Sequence, residues 1–153
     1  MKQLELKVLP VFVVLITATL MWLFSNTYYF IRIQFEYQQV AAIVFTVTGL
    51  LCILVSAWRF KSADTTVNPM RPSETKTLVT KGLYRFSRNP MYFGMLLLLV
   101  GWAILLFTLT SWLGIPLFIW YMNQFQIKPE EAILQKTFGE GYQKYMAQVR
   151  RWI

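Results

Sequence analysis

The side chains able to do chemistry in this sequence gather into two short clusters. The first is Arg85-Phe86-Ser87-Arg88-Asn89-Pro90-Met91-Tyr92, and the second is Lys128-Pro129-Glu130-Glu131. Together they offer carboxylates, guanidinium groups, an amide and phenol, a set suited to holding a charged ligand by charge-assisted hydrogen bonds. The chain has no histidine, and its one cysteine, Cys52, lies inside a hydrophobic run. Ser-His-Asp and Cys-His catalysis and histidine metal sites are thereby excluded, and no metal is expected. Each residue also has a plainer reading. Asn89-Pro90 suits a helix start, Glu130 and Glu131 suit a helix N-terminus, and Arg85 and Arg88 suit anchoring to lipid headgroups.

Four apolar stretches position these clusters: Val8 to Phe24, Val40 to Trp58, Met91 to Leu109 and Leu113 to Ile127. A spanning helix needs about 20 apolar residues. The second and third stretches qualify. The first qualifies if Tyr28 and Tyr29 anchor it at the interface. The fourth reaches only about 22 Å, so it is expected to continue as helix into water or to span a thinned region. Of the residues, 56% are hydrophobic and 14% charged, where a soluble domain carries about a quarter charged. The expected fold is all-α and integral to a membrane: about four transmembrane helices, a long cytosolic loop and a C-terminal amphipathic helix, in one domain over residues 1–153. Residues 1–58 would form two anchoring helices. The first is read as a retained helix, since no Ala-x-Ala site follows it.

Four spans place fourteen Lys and Arg residues on one side and only Arg32 on the other. Both termini and both polar clusters should then face the cytoplasm, and the membrane expected is the cell (inner) membrane. The net charge of +8 is read as attraction to membrane lipids, with no nucleic-acid partner. A hairpin through Thr110 and Ser111, with Ser111 as N-cap, would bring the two polar clusters together. Gly94 and Gly101, seven apart, suit close helix packing. The loop from Phe60 to Asn89 is far longer than an ordinary connection, and its second half looks ordered. In the tail, Leu134, Phe138, Tyr142, Tyr145, Val149 and Trp152 form one helical stripe, bent near Gly139 and Gly141. It should lie on the membrane surface or against the long loop.

Several segments, in order, resemble the isoprenylcysteine carboxyl methyltransferase family, which is related to the membrane phospholipid methyltransferases. They are Thr77-Leu78-Val79-Thr80-Lys81-Gly82-Leu83-Tyr84, Arg88-Asn89-Pro90-Met91-Tyr92-x-Gly94, Glu130-Glu131-x-x-Leu134, Phe138-Gly139-x-x-Tyr142-x-x-Tyr145 and Val149-Arg150-Arg151. The resemblance covers about Pro69 to Ile153 and implies a membrane-embedded methyltransferase using S-adenosylmethionine and releasing S-adenosylhomocysteine. It implies that Lys76, Thr77, Leu78 and Val79 line the cofactor, that Tyr84 packs near it and that Asn89, Pro90, Met91 and Tyr92 form the next wall. Glu130 would hold the methionine ammonium. Methyl transfer needs alignment and dry surroundings more than an acid or base.

Two positions depart from the family. Asn89 stands where it usually has His. Gln126 stands where the prenylcysteine enzymes have an Arg tied to the substrate carboxylate. The expected acceptor is therefore some other lipophilic molecule, a lipid amine, a thiol, a phenol or an unknown acid, entering sideways from the bilayer. Two other readings stand beside this one: a sterol-reductase-like NADPH-dependent membrane enzyme, and a non-catalytic lipid-binding membrane protein whose cleft is filled by side chains.

Overall fold

A computed structural model describes residues 5–27, 31–32, 34–63, 75 and 77–153. Tyr28, Tyr29 and Lys76, named above, lie outside the described residues. Those described are helical, with one isolated bridge between Arg32 and Thr108. Six α-helices follow in order: α1 Pro10–Thr27, α2 Gln38–Ser62, α3 Pro90–Leu105, α4 Gly114–Tyr121, α5 Lys128–Phe138 and α6 Glu140–Gln148. Short 3-10 turns, Gly82–Arg85 and Leu109–Leu113, precede α3 and α4.

Among the described residues, two helices, α1 and α2, are long and apolar enough to cross a membrane, fewer than the four spans expected. Their outward faces, including Phe12, Leu15, Ile43 and Leu54, are exposed and apolar. The third stretch is shorter than its apolar run. Helix α3 has 16 residues and stops at Leu105, because Phe107 turns to φ 60 and the Leu109 N–H bonds the Ile31 carbonyl at 3.1 Å. Ser111 is not the expected N-cap. Its hydroxyl donates to the carbonyls of Thr108 at 2.7 Å and Ala103 at 3.3 Å, taking up an acceptor near the end of α3.

Helices α2 and α3 meet along a seam of small residues. A Cβ on Gly94 would lie 2.6 Å from the Gly49 carbonyl, and one on Gly49 would lie 2.7 Å from the Gly94 carbonyl. One heptad away, a Cβ on Gly101 would lie 2.7 Å from Thr46 Oγ1 and 3.0 Å from the Ala42 carbonyl. The backbones themselves are in contact, as small residues permit. The Trp102 indole donates to the Ala18 carbonyl at 3.1 Å and ties α1 to the same pair.

The fourth apolar stretch does continue as helix beyond its apolar part. From α4 the chain passes through a π-helical turn, Met122–Ile127, directly into α5. Pro129 explains the irregularity. It has no N–H, and its ring crowds the carbonyl four residues earlier, that of Phe125. The wider turn relieves the clash, and the Leu6 N–H takes the freed Phe125 carbonyl at 3.0 Å. Because the helix is continuous, Glu130 and Glu131 face no free helix N-terminus, and the dipole reading of this pair loses its basis.

The tail breaks at Gly139, whose φ of 52 and ψ of −125 suit glycine alone. Gly141 makes no bend. Val149 and Trp152 lie past the end of α6, yet both turn inward: Val149 packs with Tyr142, Tyr145 and Leu78, and the Trp152 indole donates to Asn123 at 3.1 Å. The stripe thus packs against the long loop.

Gly94→Val forces a side chain into the α2–α3 seam. It should cost about 1–3 kcal/mol, read as a lowered thermal midpoint in detergent. An unchanged midpoint would contradict the backbone contact.

Candidate functional site

A cavity of about 210 Å3 opens where the two polar clusters meet. Its polar end holds Arg88, Asn89, Tyr92, Glu130 and Glu131. The ordered part of the long loop supplies one side through Thr77, Leu78 and Val79, and Tyr84 and Tyr145 add aromatic surface. Leu9, Pro10 and Val11 at the start of α1, with Phe60 of α2 and Met95 of α3, make an apolar side. The first two helices therefore contribute walls to the cavity as well as apolar outer faces.

The adjacent glutamates have different surroundings. Glu131 is clamped by two arginines. Arg151 approaches it side-on, with Nε 3.1 Å from one carboxylate oxygen and a terminal nitrogen 2.6 Å from the other, and Arg88 lies 3.0 Å away. The hydrogen bond to Glu131 raises the Arg151 pKa further. The same corner is stitched through the backbone: the Arg88 N–H bonds the Arg150 carbonyl at 3.0 Å, and the Asn89 amide donates to the Arg151 carbonyl at 2.9 Å. The hairpin end, α5 and the tail are joined here.

Glu130 has no cation within ion-pair distance among the described residues. It lies deep in the protein, keeps part of its surface on the cavity, and accepts a hydrogen bond from the Tyr92 hydroxyl at 2.9 Å. Burial pushes its pKa up to about 7, the Tyr92 bond pulls it down somewhat, and the charge of Glu131 pushes it up again. A carboxyl held this way is relieved either by taking up a proton or by meeting a positive charge. Tyr92 in turn accepts a bond from Gln126 Nε2 at 3.3 Å.

Of the residues expected to line a ligand, Thr77, Leu78, Val79, Tyr84, Asn89, Met91, Tyr92 and Glu130 all face this one cavity. Pro90 does not. It is the first residue of α3 and is buried. Gln126, in the π turn and 2% exposed, stands behind Tyr92 rather than on the wall. Asn89 lines the cavity while its amide nitrogen holds the tail. The sequence did not point to Leu9, Pro10 and Val11, to Phe60 or to Met95, because apolar residues in apolar helices carry no local signal. Tyr142 and Tyr145 were visible only as members of a packing stripe.

The fold and site define a helical domain with membrane-type helices around a cavity whose polar end gathers two glutamates, an arginine, an asparagine and a tyrosine. Residues 37–141 match the phospholipid methyltransferase family, PEMT, and the chain belongs to that family. Its relatives include an uncharacterised protein of Haemophilus influenzae, 44% identical over 63 residues, which are 41% of this chain and all of that protein. The protein-S-isoprenylcysteine O-methyltransferase of Schizosaccharomyces pombe is 36% identical over 47% of this chain and 30% of the enzyme. The human enzyme of the same name is 31% identical over 68% of this chain and 39% of the enzyme. This chain thus spans well under half the length of either enzyme. No solved structure matches it. The family consists of S-adenosylmethionine-dependent methyltransferases, which supports the methyltransferase reading over the reductase one.

The two glutamates should separate in a stability measurement. Glu131→Gln weakens the bonds to two arginines and should cost about 1.5–3 kcal/mol. Glu130→Gln removes a carboxylate whose charge burial disfavours, and should leave the melting temperature unchanged or slightly raised. Equal losses would contradict the division of roles.

Proposed function

We propose that this chain is a membrane-embedded, S-adenosylmethionine-dependent methyltransferase acting on a lipophilic acceptor. The carrying observation is the Glu130 carboxylate, turned into an open cavity with no cation of the described residues beside it. The donor set fits the cofactor. Glu130 would hold the methionine ammonium, Leu78 and Val79 offer apolar surface, and Tyr84 and Tyr145 offer aromatic surface to the adenine. Lys76 remains a candidate partner for the cofactor carboxylate. Bound S-adenosylmethionine would supply a methyl group on a sulfonium. Tyr92, fixed by Gln126, orients Glu130.

The binding carries a pH signature. Only ionised Glu130 pairs with an ammonium, and its pKa is about 7. Affinity for S-adenosylhomocysteine should approach its full value about one unit above pH 7, be roughly halved near pH 7 and fall towards tenfold per unit below it. Calorimetry should show Glu130→Gln binding at least tenfold more weakly, about 1.4 kcal/mol, with the acid-side slope lost. Absence of binding to the folded wild-type protein would sink this reading.

The acceptor is read as reaching the cavity sideways from the bilayer, past the apolar side formed by Val11, Phe60 and Met95. Gln126, in place of the arginine of the prenylcysteine enzymes, favours an acceptor without a carboxylate. In this reading α1, α2, α3 and the helix from Gly114 to Ile127 all cross the cell membrane, with both termini cytoplasmic. Val11→Trp should then reduce turnover of lipophilic acceptors while sparing S-adenosylhomocysteine affinity. Efficient turnover of a water-soluble acceptor, or a terminus labelled from outside intact cells, would overturn the respective part.

A further inference from the structure

A second recess lies on the far side of the wall formed by Tyr84 and Tyr145. Thr80, Lys81 and Arg85 form one bank and Gln148 the other, with Tyr145 shared between this groove and the cavity. No carboxylate lines it among the described residues. Lys81 and Arg85 are solvent-exposed, and beside them Phe86 is 73% exposed, the largest such value of any apolar side chain among the described residues. Phe86 stands four residues before Pro90 opens α3, at the level where an apolar helix begins. An exposed aromatic beside two cations at that level suits the boundary between headgroups and hydrocarbon.

We propose that this groove binds the phosphate of an anionic phospholipid of the adjoining leaflet. Lys81 and Arg85 neutralise the phosphate, Thr80 and Gln148 offer neutral donors, and Phe86 packs among the upper acyl carbons. The lipid is distinct from the methyl acceptor, because Tyr84 and Tyr145 stand between groove and cavity, joined by the Tyr145 hydroxyl donating to the Tyr84 carbonyl at 2.7 Å. The same 3-10 turn carries Arg85 to the groove and Tyr84 to the cavity. A headgroup held by Arg85 therefore steadies the cavity wall, and lipid and cofactor binding should favour each other. This coupling rests on the cofactor reading above, whereas the lipid site itself does not.

The test uses the full chain in nanodiscs of phosphatidylcholine, with or without phosphatidylglycerol, and native mass spectrometry to count retained lipid. The wild type should retain phosphatidylglycerol preferentially, and the Lys81→Gln, Arg85→Gln double variant should lose that preference while melting like the wild type in phosphatidylcholine. Phosphatidylglycerol should also tighten S-adenosylhomocysteine binding about fivefold or more in the wild type alone. No preference in the wild type, or one that survives the double substitution, overturns the site. Tightening by inorganic phosphate in pure phosphatidylcholine discs would assign the groove to a free anion and overturn the lipid source. If S-adenosylhomocysteine fails to bind under every condition, the methyltransferase reading fails and lipid retention alone decides this proposal.

Discussion

Three separated segments of this chain converge on one carboxylate. Glu131 receives Arg88 from the entrance to α3 and Arg151 from the tail while itself standing on α5. A half-buried ion pair is a poor source of net stability, since desolvation offsets much of the attraction. It is a good source of geometry, because the side-on approach of Arg151 leaves little freedom of orientation. With Glu131 fixed, the neighbouring Glu130 can be aimed at the cavity although it gains no cation from the described residues.

The orientation of Glu130 also depends on the helix beneath it. Pro129 removes one rung of hydrogen bonding, the π turn takes up the strain, and Gln126 and Glu130, one on each side of that proline, both reach Tyr92. The loose carbonyl is met by Leu6 from the opposite end of the chain. Irregular helix, which is costly on average, is here what lets two polar side chains of one helix meet one phenol.

The apolar runs and the hairpin made the meeting of the two clusters legible in the sequence, and eight of the ten residues expected around a ligand do face one cavity. Other features were hidden for physical reasons. Glu130 and Glu131 are the same residue type side by side, and only the tertiary partners of Glu131 distinguish them. The wall made by Leu9, Pro10 and Val11 is chemically the same as any lipid-facing surface. The early stop of α3 follows from a left-handed turn at Phe107, a residue that gives no such signal, unlike Gly139. Gly94 and Gly101 were correctly read as packing residues, but their partners Gly49 and Ala42 emerge only when two helices are laid side by side.

The placement of Arg150, Arg151 and Trp152 bears on how the molecule is made. Helices α2 and α3 can pack along the small-residue seam while synthesis is still under way. The cavity corner cannot close until the stretch from Val149 to Trp152 has left the ribosome and folded back onto Glu131 and Asn123. During that interval Glu131 lacks one of its two cations and Arg88 lacks its tail carbonyl. The cavity corner is therefore assembled only after the helices it joins, and a chain truncated just before this stretch would keep those helices while lacking the contacts of Arg151 with Glu131 and of Trp152 with Asn123.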